Sequence, residues 1–295
     1  MKFIKGLTVL IVVIVTLITA YYIFFGPSKE IDRSPLREKE EGASNQDGSF
    51  TAKAPERVVP PQDRTGKKIS VIIDDIGYNL SPLKELLEID APIAFAILPH
   101  CPHSVDAAEI IHGAEREILL HLPMEPHDSN KNPGPGALFR WMQEPEIKQH
   151  LEKDLNAVPY VVGVNNHMGS AFMEDEEKLN IVFKELKERG IFFIDSRTTP
   201  DSRAERVAKK TRIRYASRKL FIDNNQDEEA IFKNLIGYLE KHDRGPAVVI
   251  GHPYPETVKA LRKAVPILKS MGITIVPPTE MVNTIGEAEN INNKE

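Results

Sequence analysis

The sequence predicts an α/β protein whose core is a parallel (β/α) barrel of seven or eight units. Three observations carry that expectation. Short apolar runs recur at Ile69–Ile73, Pro92–Ile97, Ile118–Leu120, Tyr160–Val164, Ile191–Ile194, Lys219–Ile222, Ala247–Ile250 and Ile273–Val276. Segments of helical periodicity separate most of them, and strand–helix alternation of this length gives a parallel sheet that readily closes. Polar residues, mostly Asp and His, stand at the ends of the runs, where parallel barrels gather functional groups.

The first run sets the pattern. Val71-Ile72-Ile73 is too short and too apolar for a surface helix and reads as a strand buried on both faces. It ends in Asp74-Asp75 and then Gly77. Two carboxylates leaving a buried strand are costly unless their charge is offset, and a divalent ion does that. One Asp capping the next helix, with the other solvated, is the plainer reading of the pair taken alone.

Between the strands, Ser81-Pro82 predicts an N-cap with Pro at the first helical position. Glu174–Arg189 places Leu179, Val182, Phe183 and Leu186 on one face. Phe232, Leu235, Ile236 and Leu239 form a second stripe, and Val258, Leu261, Val265 and Leu268 a third; all three are expected to be core. Gly190 and Gly272 fall where helices should stop.

The appendages are of another kind. Lys2 and Lys5 precede an apolar stretch from Leu7 to Phe25, long enough to span a bilayer. It ends in Tyr21-Tyr22-Ile23-Phe24-Phe25, an interfacial belt rather than a small-x-small cleavage site, so residues 1–26 are expected to be an uncleaved signal anchor. The alternative is cleavage after Ala20, which would release a secreted domain. With the lysines before the span, the amino terminus stays in the cytoplasm and the globular part lies outside. Residues 27–66 are polar, mixed in charge and poor in large apolar side chains, and read as a disordered linker; the domain is expected over 67–284 and a disordered tail over 285–295.

Composition excludes several functions. A net charge of −5 with no long basic run argues against nucleic acid. Cys101 is the only cysteine, so no internal disulfide forms. His100 and His103 are its sequence neighbours, but such neighbours seldom face each other, and thiol catalysis is not expected. No phosphate loop, nucleophile elbow or His-Glu-x-x-His helix is present.

The strand ends, in order, carry Asp74-Asp75, His100, His121, Asn165-Asn166-His167, Asp195-Ser196-Arg197, Asp223 and His252. Asp and His without thiolates suit zinc or another borderline divalent ion with an open position. With a carboxylate to take a proton and a histidine to return it, this is equipment for hydrolysing an amide or ester.

Ile73-Asp74-Asp75-Ile76-Gly77, His121-Leu122-Pro123-Met124-Glu125-Pro126, Asn165-Asn166-His167-Met168-Gly169-Ser170, Asp195-Ser196-Arg197-Thr198 and Ile250-Gly251-His252-Pro253 together resemble the motifs of the divergent polysaccharide deacetylases, relatives of the NodB-type carbohydrate esterases. The resemblance covers about Lys68 to Val282. It implies a distorted barrel and metal-dependent removal of acetyl groups from a glycan of the cell envelope. On the family pattern Asp74 is the general base and Asp75 and His121 hold the metal, zinc first among the candidates; His167, reached from the next strand, is the expected third ligand because the motif's second histidine is missing here. His252 matches the general acid of the late Leu-x-His motif, with Ile250 in place of Leu, and Asp195 the acid that orients it. The His-x-x-x-His motif departs from the pattern, with Glu125 four residues after His121. A barrel that keeps the site but serves as a non-catalytic partner in envelope assembly is the alternative.

Overall fold

The computed structural model describes residues 66–242 and 245–284. The expected anchor and tail, and the linker up to residue 65, lie outside the described residues. No helix among the described residues is long and apolar enough to cross a membrane.

The expected barrel forms. β1 (Lys68–Ile76), β2 (Ala94–Ile97), β3 (Ile118–Met124), β4 (Val161–Met168), β5 (Phe192–Asp195), β6 (Arg214–Phe221) and β7 (Ala247–Gly251) pair in parallel, each with the next. β7 then pairs with β1 through Ile69–Ile73, closing the ring at seven staves. The eighth run gives β8 (Thr274–Ile275), which is not a stave: its two residues sit beside Lys68 and Ile69 at the start of β1. A further short strand, β9 (Asn283–Thr284), runs antiparallel to the start of β6.

Helices α1 (Ser81–Leu87), α2 (Ser104–Gly113), α3 (Glu144–Ala157), α4 (Glu176–Glu188), α5 (Ala204–Thr211), α6 (Glu228–Lys241) and α7 (Pro255–Ser270) follow the seven staves. All three stripes face the core, with Phe232 and Ile236 packed at its edge. Gly190 and Gly272 take φ of +72° after α4 and α7, a conformation that suits glycine. Ser81 is the first helical residue rather than the cap; the Asn79 carboxamide oxygen accepts its N–H at 2.9 Å.

Strand alternation divides the apolar side chains into two sets. Ile69, Val71, Ile73, Leu120, Val164, Phe193 and Val249 join the large core shared with the helices. Ile72, Ala94, Ala96, Leu119, Phe192, Ile194, Val248 and Ile250 form a second, smaller core inside the barrel. Continuing that interior set two residues further along each strand leads to Asp74 on β1, His121 on β3, Ser196 after β5 and His252 after β7. Gly163, Asn165 and His167 form the equivalent row on β4, and Gly163 is glycine for a reason: a Cβ there would lie 2.1 Å from the Phe192 ring.

Candidate metal centre

Asp74 and Asp75 are neighbours on a strand and would ordinarily face opposite ways. The β1–β2 register shifts between Ile73 and Ile76, and Asp75 takes φ of +59°. That bulge turns the second carboxylate toward the same end of the barrel as the first. Met168 and Arg197, also non-glycine, take positive φ at the ends of β4 and β5, a concentration of costly backbone that marks functional rims.

Asp75, His121 and His167 meet there. Asp75 Oδ1 lies 3.2 Å from His121 Nε2 and 3.0 Å from His167 Nδ1, and the two nitrogens are 3.1 Å apart. Their ligand atoms all fall within 4.8 Å of one another. Asp75 Oδ1 is buried, with no hydrogen-bond partner beyond these two imidazole nitrogens. A carboxylate oxygen and two imidazole nitrogens converging from three strand ends make a donor set that a divalent cation fits. Burial pushes Asp75 toward protonation, but hydrogen bonding to and attraction by the two histidines outweigh it and hold the carboxyl well below its ordinary range.

Asp74 stands behind this set, fully buried, with Oδ2 3.7 Å from His121 Nε2 and Oδ1 accepting the Asn165 carboxamide N–H at 2.7 Å. Burial raises its proton affinity, opposed by His121 and His252. His121 loses proton affinity to burial and more than regains it from Asp74 and Asp75. Asn165 Oδ1 lies 2.9 Å from His121 Nδ1.

His252 is oriented by Asp223, not by Asp195. Asp223 Oδ1 is 3.0 Å from His252 Nδ1, and Oδ2 accepts the His252 backbone N–H at 2.5 Å and the Thr257 hydroxyl at 2.9 Å. Burial disfavours the charged imidazole, but Asp223 outweighs it and lifts His252 to about 9. Asp195 shares the outward parity of Phe193 and is buried on the helix side, accepting from the Ser202 hydroxyl, the Tyr215 hydroxyl and the Arg197 backbone N–H. The expectation for Asp195 is therefore corrected: β7, which His252 follows, pairs with β6 and β1, and Asp223 follows β6.

Other candidates are turned elsewhere. His100 bonds the buried Asp154 at 2.8 Å, and His103 contacts Asp106. Glu125 accepts the Arg140 backbone N–H at 2.6 Å and its guanidinium at 3.3 Å, pinning a loop instead of joining the ligand atoms. Cys101 lines a cavity of about 160 Å³ whose wall includes Asp75 and His167, together with Tyr78, Leu98 and Pro133. Burial raises its thiol, so it stays protonated at neutral pH. Sequence reasoning left Asp223 and Asn165 without roles; the signal for Asn165 was its two-residue offset from His167 on one strand.

The family model described as divergent polysaccharide deacetylase matches residues 71–282. The uncharacterised protein YibQ of Escherichia coli K12 is 34% identical over 220 residues, which cover 73% of this chain and 67% of that protein. Among solved structures, an uncharacterised protein of Agrobacterium tumefaciens C58 superposes with a TM-score of 0.70 at 20% identity, covering 76% of this chain and 92% of that one. A mutant of a Bacillus anthracis CE4-family pseudoenzyme with restored enzymatic activity has a TM-score of 0.50 at 18% identity, covering 72% and 66%. The chain belongs to the divergent polysaccharide deacetylase family.

Proposed function

We propose that this protein is a metal-dependent hydrolase that removes acetyl groups from a glycan of the cell envelope, held at the membrane by residues 1–26 with its domain on the extracytoplasmic side. The observation that carries the reading is the convergence of Asp75, His121 and His167, whose buried carboxylate oxygen has no partner beyond the two imidazoles. A purely structural ion needs no acid or base beside it, yet Asp74 and His252 end neighbouring staves of the same barrel.

Asp75, His121 and His167 would hold the ion, zinc first among the candidates. Such an ion supplies Lewis-acid polarisation of a carbonyl and lowers the pKa of water to about 7. Asp74, buried and raised in proton affinity, accepts the proton of the attacking water. His252 carries a proton at neutral pH and gives it to the departing sugar nitrogen or oxygen; Asp223 fixes its ring and steadies its charge.

The test is acetate release from chitooligosaccharides and peptidoglycan fragments by the zinc-loaded full-length chain. Asp74→Asn keeps the shape and deletes the base; turnover should fall by roughly 10²–10⁴-fold with zinc content retained. A zinc-loaded wild type inert on every acetylated glycan, with Asp74→Asn silent in cells and loss of His121 harmful, would support the non-catalytic reading instead.

A further inference from the structure

We propose that Asn165 is the positioning residue of this site, its single carboxamide setting both the tautomer of His121 and the orientation of Asp74. The catalytic half of this inference rests on the deacetylase reading above; the tautomer half does not.

Asn165 is completely buried. Strand pairing places it directly beside His121 on β3 and Ile194 on β5. Its carboxamide therefore reaches both acidic and imidazole groups without spanning solvent. Nδ2 lies 2.7 Å from Asp74 Oδ1 and 3.3 Å from Ser196 Oγ, while Oδ1 lies 2.9 Å from His121 Nδ1.

The direction of these bonds follows from what each group can offer. Asp74 in its basic form only accepts, so the carboxamide must present its N–H to it. Its oxygen then faces His121, and an oxygen can only accept, so His121 Nδ1 must carry the proton. Neutral His121 is left with a bare Nε2, and that is the nitrogen facing Asp75 Oδ1 and His167 Nδ1. The reversed carboxamide would demand a protonated Asp74 and an Nε2–H pointing into the ligand set. One amide thus excludes a proton from the metal position and aims the base with the same two atoms.

Ring nitrogens of the selectively ¹⁵N-histidine-labelled, metal-free, full-length chain report the tautomer, read at a pH where His121 is neutral. The expected result is His121 protonated at Nδ1 and bare at Nε2. Asn165→Leu should mix the tautomers and weaken zinc, measured against a chromophoric chelator, by about 10–100-fold, the usual effect of losing the group behind a histidine ligand. Asn165→Asp keeps an acceptor for His121 but places a second carboxyl against Asp74. It should hold zinc within about threefold of wild type while kcat for acetate release falls at least about tenfold and KM stays unchanged.

A wild-type His121 protonated at Nε2 overturns the proposal, as does an Asn165→Leu chain that folds and binds zinc like wild type. If Asn165→Leu does not fold, the wild-type tautomer and Asn165→Asp decide. The tautomer and zinc measurements decide it equally for a chain inert on glycans.

Discussion

Asp223 grips His252 twice, through the ring at Nδ1 and through the backbone N–H, so the imidazole is locked to the strand end from which it projects. The grip has a measurable consequence. His252 is raised from an ordinary 6.5 to about 9, so it is charged at neutral pH. The alkaline limb of kcat/KM should lie near pH 9, and Asp223→Asn should move it down toward 7 and lower the plateau. The stability contribution has the same sign. It is fully present below about pH 6.5, is lost as pH rises through 9, and amounts to roughly 3 kcal/mol. A limb unmoved in Asp223→Asn would remove Asp223 from this role.

The metal set makes a separate prediction. His121→Ala or His167→Ala leaves two protein ligands, too few to compete with water, and each variant should lose most of its zinc. Added zinc should raise the melting temperature of wild type and not of either variant. Stoichiometric zinc in both variants would show that these residues are not the ligands.

Inside the barrel, Gly163→Ala places a methyl against the fully buried Phe192 ring. Overpacking of this kind costs about 1–3 kcal/mol. The melting temperature should drop, and Phe192→Leu in the same chain should recover part of the loss.

The appended segments can be tested by truncation. Lys67 is buried, its ammonium donating to the Leu239 and His242 carbonyls at 2.6 and 2.5 Å. A chain starting at Lys67 should fold with an unchanged melting temperature, whereas one starting at Lys68 should melt lower. In intact cells, external protease should reach the domain while the extreme amino terminus stays protected. A released product lacking residues 1–20 would instead establish signal cleavage.

The sequence by itself determined where most of the staves lie and which residues end them. Most barrel strands are buried and apolar, and a polar residue at the end of such a run is conspicuous. Asp74, Asp75, His121, His167 and His252 were legible for that reason, and the structure brings them to one end of the barrel. β6 was only half legible, because Arg214, Arg218 and Lys219 interrupt a strand with a partly exposed burial pattern.

Only the tertiary structure decided which carboxylate serves His252. Phe192, Phe193 and Ile194 are all apolar because β5 is buried on both faces. No hydrophobic alternation then tells which way Asp195 points, and it points to the helices. Asp223 reaches His252 because β6 pairs with β7, a long-range relation that no local pattern encodes. The same holds for Glu125, drawn to Arg140 by a loop folding back on β3, and for β8, whose apolar residues suit a stave but whose place beside β1 is shared with β2. Burial on two faces erases the pattern that would assign a side chain to one of them, and packing alone restores it.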